Sequence, residues 1–146
     1  MDKLKIENYL KAFPGAVFPE YQPLSAASAA MLRDRLKRRF NIATDADPLT
    51  VARELDALGV VWAGFNAQDE TFQVSKVLAS AHIAVREHAY VNWYRYDDID
   101  KIRFDDLDRS LIDLWYPGAD DIDIFDDSLD WVLSISHHGS VKLAVA

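Results

Sequence analysis

Aspartates give this sequence its clearest potential for chemistry. Thirteen of the thirty-four residues from Asp97 to Asp130 are aspartates, and only Lys101, Arg103 and Arg109 oppose them, so this acidic stretch carries a net charge of −10. The whole chain carries −8, so its remainder sums to about +2 and the acidity is regional. Carboxylates at this density could bind a divalent cation, serve as the acid and base of a hydrolase, or attract a basic partner.

The acidic stretch is also rich in large apolar residues, which disordered acidic tails lack. These residues are Ile99, Ile102, Phe104, Leu107, Leu111, Ile112, Leu114, Trp115, Tyr116, Ile122, Ile124, Phe125 and Leu129. We therefore expect folded chain with an acidic outer face.

Calcium binding is poorly supported by the two segments DDIDKIRFDDLD (97–108) and DDIDIFDDSLD (120–130), although they echo one another. A helix-flanked calcium loop needs oxygen ligands at alternate positions, a glycine at its sixth residue and a closing glutamate. Both segments place isoleucine or phenylalanine inside and contain no glutamate. We predict no cofactor, and keep a weakly bound surface cation and a metal-dependent phosphate hydrolase as alternatives.

Other catalytic motifs are absent from the sequence. It has no cysteine, no G-x-S-x-G, no phosphate-binding glycine loop and no H-E-x-x-H. His137 and His138 are adjacent, and neighbouring strand residues point to opposite faces, so we interpret them as turn residues and not as a metal pair. Pairs of aspartates arise by chance among so many. We therefore predict that the protein is not an enzyme.

Length and composition favour one globular domain, residues 1–146, in the cytoplasm. Half of the residues are hydrophobic, yet no apolar run is long enough to span a membrane, and the first residues do not resemble a signal peptide. A pI near 4.8 argues against nucleic acid as the partner of the whole molecule. The basic cluster Arg33–Arg39 ends a predicted helix, where it complements the helix dipole.

The first half of the chain is predicted to be mainly helical. Helical spacing favours helices over residues 4–13, 24–40 and 48–58, the last with Asp47 as N-cap, Pro48 at its first position and Gly59 as its stop. We expect the proline-rich residues 16–24 to be an extended loop and residues 60–65 to form a buried strand containing Trp62. A further helix is predicted over residues 75–87.

The second half is predicted to form an antiparallel sheet. Strands are expected over 90–96, 122–125, 131–137 and 140–145, with a helix over 105–115 and a turn at 116–119. The order predicts an α+β domain, whose N-terminal helices pack on one side of a mainly antiparallel sheet formed by the C-terminal half. The residues expected to be buried in that sheet are Val91, Trp93, Ile122, Ile124, Leu133 and Ile135.

One resemblance covers about a third of the chain, from Tyr90 to Leu143. The elements DLWYP, DD-I-x-IFD and a tryptophan strand ending in H-x-G resemble those of small, mostly uncharacterised bacterial proteins. Some such proteins are similar to the immunity proteins of polymorphic-toxin systems. The resemblance implies a fold more than a function, and no catalytic residue comes with it.

Neutralisation of a basic partner is the function that we predict, with a nuclease-like toxin as the expected target. A concentrated negative field steers basic proteins, and nearby aromatic residues such as Tyr94 can anchor an interface. The residues assigned to partner binding are Asp97, Asp98, Asp100, Asp105, Asp108, Trp115, Tyr116, Asp120, Asp121, Asp123, Asp126 and Asp127. The metal-dependent hydrolase and a housekeeping domain with a solvated acidic face are the alternatives, and either a monomer or a homodimer is compatible with the pattern.

Overall fold

The computed structural model describes all 146 residues and contains five helices and seven strands. The helices are α1 (Lys3–Ala12), α2 (Ala26–Arg39), α3 (Pro48–Leu58), α4 (Val74–Ser80) and α5 (Phe104–Leu114). The strands are β1 (Tyr21–Pro23), β2 (Val60–Asn66), β3 (His88–Asn92), β4 (Ile99–Arg103), β5 (Ile122–Phe125), β6 (Trp131–Ile135) and β7 (Ser140–Val145). This confirms the α+β class.

All seven strands join one antiparallel sheet in the order β1-β4-β3-β5-β6-β7-β2. The C-terminal half supplies the middle of the sheet, and the two edge strands come from the N-terminal half. In the central register, Asp123 of β5 lies opposite Asn92 of β3 and Ser134 of β6. Because side chains alternate along a strand, these three polar residues share one face of the sheet.

Helices cover both faces of the sheet. One face buries Val91, Ile122, Ile124, Leu133 and Ile135 with apolar residues of α4 and α5. The opposite face buries Phe125, Val132 and Ala144 with residues of α2 and α3. The six core residues predicted from the sequence, Trp93 included, are buried, but α2 and α3 lie on the other side of the sheet from them. The one-sided arrangement was wrong because both faces of β5 and β6 are buried.

Several local predictions are confirmed. The side chain of Asp47 accepts a hydrogen bond from Thr50 N at 2.8 Å, Pro48 opens α3, and Gly59 caps it. Gly118 has a φ of +81° in the predicted turn, a value that glycine adopts without strain. The β6–β7 hairpin turns at His138 and Gly139.

Other local predictions were wrong. The strand expected over residues 90–96 spans His88–Asn92, because Trp93 N bonds back to Asp98 O and closes a hairpin turn. β4 follows that turn inside the acidic stretch and was not predicted, since Asp100 and Lys101 conceal its apolar alternation. Residues 21–23, expected in a loop, form edge strand β1. The helix expected over residues 75–87 ends at Ser80, and residues 60–65 lie on an edge strand that is largely exposed.

Candidate functional site

The aspartates of the acidic stretch lie at two opposite ends of the sheet. Four-residue β5 separates Asp121 from Asp126, a length of about 13 Å at the usual rise of a strand. The Asp121 end also carries the β3–β4 turn with Asp97 and Asp98, because Asn92 pairs with Asp123. Asp105 follows the other end of β4. The two echoing segments therefore do not form one continuous surface.

Three of the predicted partner-binding aspartates are buried and serve internal hydrogen bonds. Asp100 accepts from Trp93 Nε1 at 2.7 Å and lies 2.6 Å from the backbone nitrogen of Met1. Asp126 accepts from Ser128 N at 2.9 Å. The third is Asp123. Trp115 is buried as well, and its Nε1 donates to the Asp120 carbonyl at 2.9 Å. These four side chains are closed to a partner in this structure, which corrects their assignment.

Two further aspartates are partly buried and hold neighbouring elements. Asp108 on α5 accepts from Ser75 N at 3.0 Å, and so caps α4, whose own N-cap residue supplies no side-chain bond. Asp120 accepts from Tyr116 N at 2.8 Å and pairs with Lys5 of α1. Tyr116 is partly exposed. These contacts stabilise the fold whether or not a partner exists.

The remaining predicted residues are exposed: Asp97, Asp98, Asp105, Asp121 and Asp127. Asp127 pairs with Arg86 at 2.9 Å. The charge at the Asp126 end is thereby partly neutralised, and Arg39 does the same for Asp130 with an Nε to Oδ1 distance of 3.0 Å. The side chains of Asp97 and Asp98 have no arginine or lysine within salt-bridge distance, so the Asp121 end keeps the less compensated negative charge.

A cleft of about 450 Å³ opens at the Asp121 end, between α3 and the sheet face that α3 covers. Its polar and aromatic lining comes from Arg53, Asp56, Tyr94, Asp121, Asp123, Ser134 and Ser136. Arg53 and Asp56 are three residues apart on α3 and therefore share a helix face. Asp121 and Asp123 are two apart along an extended chain and therefore share a sheet face.

Asp123 is the deepest acidic group of this cleft. Its Oδ1 accepts from Ser134 Oγ at 2.5 Å, and its Oδ2 accepts from Asn92 Nδ2 at 3.1 Å. Burial raises the pKa of the Asp123 carboxyl, hydrogen bonding opposes that shift, and the nearby charge of Asp56 adds to it. The buried Tyr96 hydroxyl makes no hydrogen bond of good geometry, yet burial and the charge of Asp123 raise the pKa of Tyr96 well above its ordinary value.

The rim of the cleft is more solvated. Asp121 accepts from His137 N at 2.7 Å and lies 2.8 Å from His137 Nδ1, so it fixes the β6–β7 turn while remaining half exposed. Asp56 pairs with Lys142 Nζ at 2.7 Å. The Tyr94 ring is half exposed beside these carboxylates. An aromatic wall with carboxylates at two depths is suited to a cationic side chain.

Sequence reasoning found Asp121 and Asp123 but missed the α3 side of this cleft. The Arg53 and Asp56 spacing shows that they share a face, but not which part of the sheet that face meets. Ser134 resembled an ordinary strand residue until its register opposite Asp123 was known. No group of three histidine, aspartate or glutamate side chains is arranged to hold a metal ion.

Comparisons with protein-family models, curated proteins and solved structures found no match to this chain. None of its helices combines the length and apolar character needed to cross a lipid bilayer. The candidate site is accordingly argued from geometry and charge alone.

Proposed function

We propose that the protein is a non-enzymatic binding protein of the cytoplasm that neutralises a basic protein, in the manner of an immunity protein acting on a nuclease-like toxin. One observation carries the proposal: the cleft at the Asp121 end combines the carboxylates of Asp56, Asp121 and Asp123 with the exposed ring of Tyr94. It would receive an arginine or lysine side chain of the partner.

Charge favours this orientation of binding. Asp97 and Asp98 extend the negative field from the cleft onto the adjoining β3–β4 turn. A concentrated field of one sign raises association rates by roughly 10 to 10³-fold at low salt. Arg53 and Lys142 offset part of the field, so a bound cation would compete with Lys142 for Asp56.

The residues of the cleft differ in what they would contribute. Tyr94 is already ordered by the turn and loses little conformational entropy on contact, which is the property that makes tyrosine a common anchor of interfaces. Asp121 would supply a solvated charge pair at the rim. Close interfacial charge pairs couple by about 1.5 to 7 kcal/mol in favourable cases.

Calorimetry with an (Arg-Gly)₄ peptide tests where cations bind. Tyr94→Ala and Asp121→Asn should each weaken binding severalfold, and binding should weaken with added salt because exposed charges are screened over about 8 Å at physiological ionic strength. Asp127→Asn, at the opposite end of the sheet, is the matched control and should change affinity little. Equal weakening by Asp127→Asn would show that only net charge matters and would remove the cleft from the proposal.

The immunity role needs a separate test in cells. The gene for this protein should protect bacteria that express a toxic product encoded by the neighbouring open reading frame, and Tyr94→Ala should reduce that protection at equal protein abundance. A neighbouring product that is neither basic nor toxic would count against the role.

A further inference from the structure

Lys5 is the only fully buried residue of α1, although it is charged. Its Nζ donates to the Leu114 carbonyl at 2.7 Å and forms an ion pair with Asp120. The same Nζ lies 3.8 Å from the centre of the Tyr116 ring and 5.1 Å from that of Trp93. A carbonyl, a carboxylate and two aromatic rings thus surround one ammonium group, which we call the lysine socket.

The lysine socket is assembled by the C-terminal part of the chain. Tyr116 N and the indole of Trp115 both bond to Asp120, and the Trp93 indole bonds to Asp100. These bonds position Tyr116, Asp120 and Trp93 from β3, β4 and the turn after α5. None of them involves α1, so the socket does not depend on α1 for its construction.

α1 itself has few other means of attachment. Leu4, Leu10 and Phe13 expose 54, 42 and 41 % of their surface, so most of the large apolar residues of this segment are not in the core. Tyr9 packs on Phe18 with ring centres 5.2 Å apart, which adds a partial contact. A helix anchored by one buried cation is less firmly held than one anchored by an apolar stripe.

The geometry points to a lysine-binding site that α1 occupies within the molecule: when α1 moves away, the lysine socket accepts a lysine ammonium group of the basic partner. The part of this inference that concerns the partner rests on the proposed function. The socket should prefer lysine to arginine, because the Leu114 carbonyl and the Asp120 carboxylate converge on a single nitrogen, which suits a compact ammonium better than a planar guanidinium.

The test uses Nα-acetyl-lysine N-methylamide as the probe and the indole NMR signals of Trp93 and Trp115 as the readout. Lys5→Ala empties the socket, and Lys3→Ala, an exposed lysine on the same helix, is the matched control. In Lys5→Ala the probe should shift the Trp93 signal in a saturable way. Half-saturation in wild type and Lys3→Ala should need about tenfold more probe, as expected when α1 leaves the socket in a tenth of the molecules.

Two further probes define the chemistry. The Nε-acetylated lysine probe lacks the positive charge and should not bind, and Nα-acetyl-arginine N-methylamide should bind Lys5→Ala severalfold more weakly than the lysine probe. Adding Asp120→Asn to Lys5→Ala should abolish the response. An equal response in wild type and Lys5→Ala, or none in a folded Lys5→Ala, would overturn the inference.

Hydrogen exchange of the wild-type protein covers the case in which Lys5→Ala does not fold. The lysine probe should lower the protection of amides in α1 while leaving α5 protected, and unchanged protection at a saturating probe concentration would overturn the inference. These experiments are independent of the Asp121 cleft, because Tyr94→Ala and Asp121→Asn leave the socket intact. Failure of the proposed function and failure of the socket are therefore distinguishable.

Discussion

Trp131 Nε1 donates a hydrogen bond to Asp126 Oδ2 at 3.2 Å, which ties the turn after β5 to the first residue of β6. The other oxygen of Asp126 accepts from the backbone nitrogen and the hydroxyl of Ser128 within the same turn. Both Asp126 and Trp131 are buried. An aspartate from a highly acidic segment thus acts as the organising acceptor of a turn.

Asp126→Ala should destabilise the protein. Hydrogen bonds to charged groups contribute about 1.5 to 3 kcal/mol, and the change leaves the Trp131 indole N–H without its acceptor. Asp127→Ala removes a neighbouring aspartate whose partner, Arg86, is on the surface, so its cost should be about 0 to 1 kcal/mol. Urea denaturation of the two variants measures both free energies, and an equal cost would contradict the internal role of Asp126.

Trp131→Ala should be among the most damaging single substitutions. The side chain is 2 % exposed and packs in the core formed with α4 and α5. Truncation of a buried tryptophan costs about 3 to 5 kcal/mol through lost burial and the cavity that remains. Thermal unfolding followed by circular dichroism checks this, and a melting temperature within a degree or two of wild type would show that the indole contributes little.

Asp123→Asn should change the pH dependence of stability. Burial raises the pKa of Asp123 above its ordinary value of 3.8, so between these two values the folded chain binds more protons than the unfolded chain. The contribution of Asp123 to the free energy of unfolding therefore falls as pH rises from about 4. Asparagine does not titrate, can accept from Asn92 and can donate to the Ser134 hydroxyl.

The stability of Asp123→Asn relative to wild type should therefore increase between pH 4 and pH 7, measured by urea denaturation at several pH values. Val132→Ala on the same face of the sheet is a control that loses stability without removing a titrating group. A relative stability of Asp123→Asn that is flat or falls with pH would contradict the raised pKa.

Two sets of four Asp→Asn changes should behave differently. From the sequence, Asp120, Asp121, Asp123 and Asp126 are expected to be solvated, so that neutralising them together leaves the melting temperature equal or higher. In the structure all four accept internal hydrogen bonds. We now expect the combined variant to be less stable than wild type.

The comparison set consists of the exposed residues Asp97, Asp98, Asp105 and Asp127, whose neutralisation should leave the melting temperature within a few degrees of wild type or raise it by relieving repulsion. Calorimetric unfolding of both variants in one buffer makes the comparison. The internal role assigned to the first set would be refuted if the two sets changed stability equally.

Local signals determined much of the fold. The Asp47-Pro48 start and Gly59 end of α3, the apolar spacing of Leu107, Leu111 and Leu114 in α5, and the alternation in β5 and β6 were sufficient to predict those elements and the α+β class. Each signal lies within a few residues of the structure that it specifies, because capping and side-chain alternation are local effects.

The burial of particular aspartates was decided only by the tertiary structure. Asp121 and Asp126 look alike in sequence, but Asp126 lies within reach of the Trp131 indole while Asp121 lies at the rim of a cleft. Whether a carboxylate is solvated or satisfied internally depends on which donors the strand register brings opposite it, and register is a property of chain segments far apart in sequence.

The cleft and the lysine socket were decided in the same way. The sequence alone determined that the acidic charge is concentrated in one stretch and that this stretch is folded. Only the packing of α3 against the sheet places Asp56 near Asp123, and only the docking of α1 places Lys5 against Asp120, 115 residues away along the chain. Such contacts depend on the choice between two faces of a sheet, which the periodicity of either element by itself leaves open.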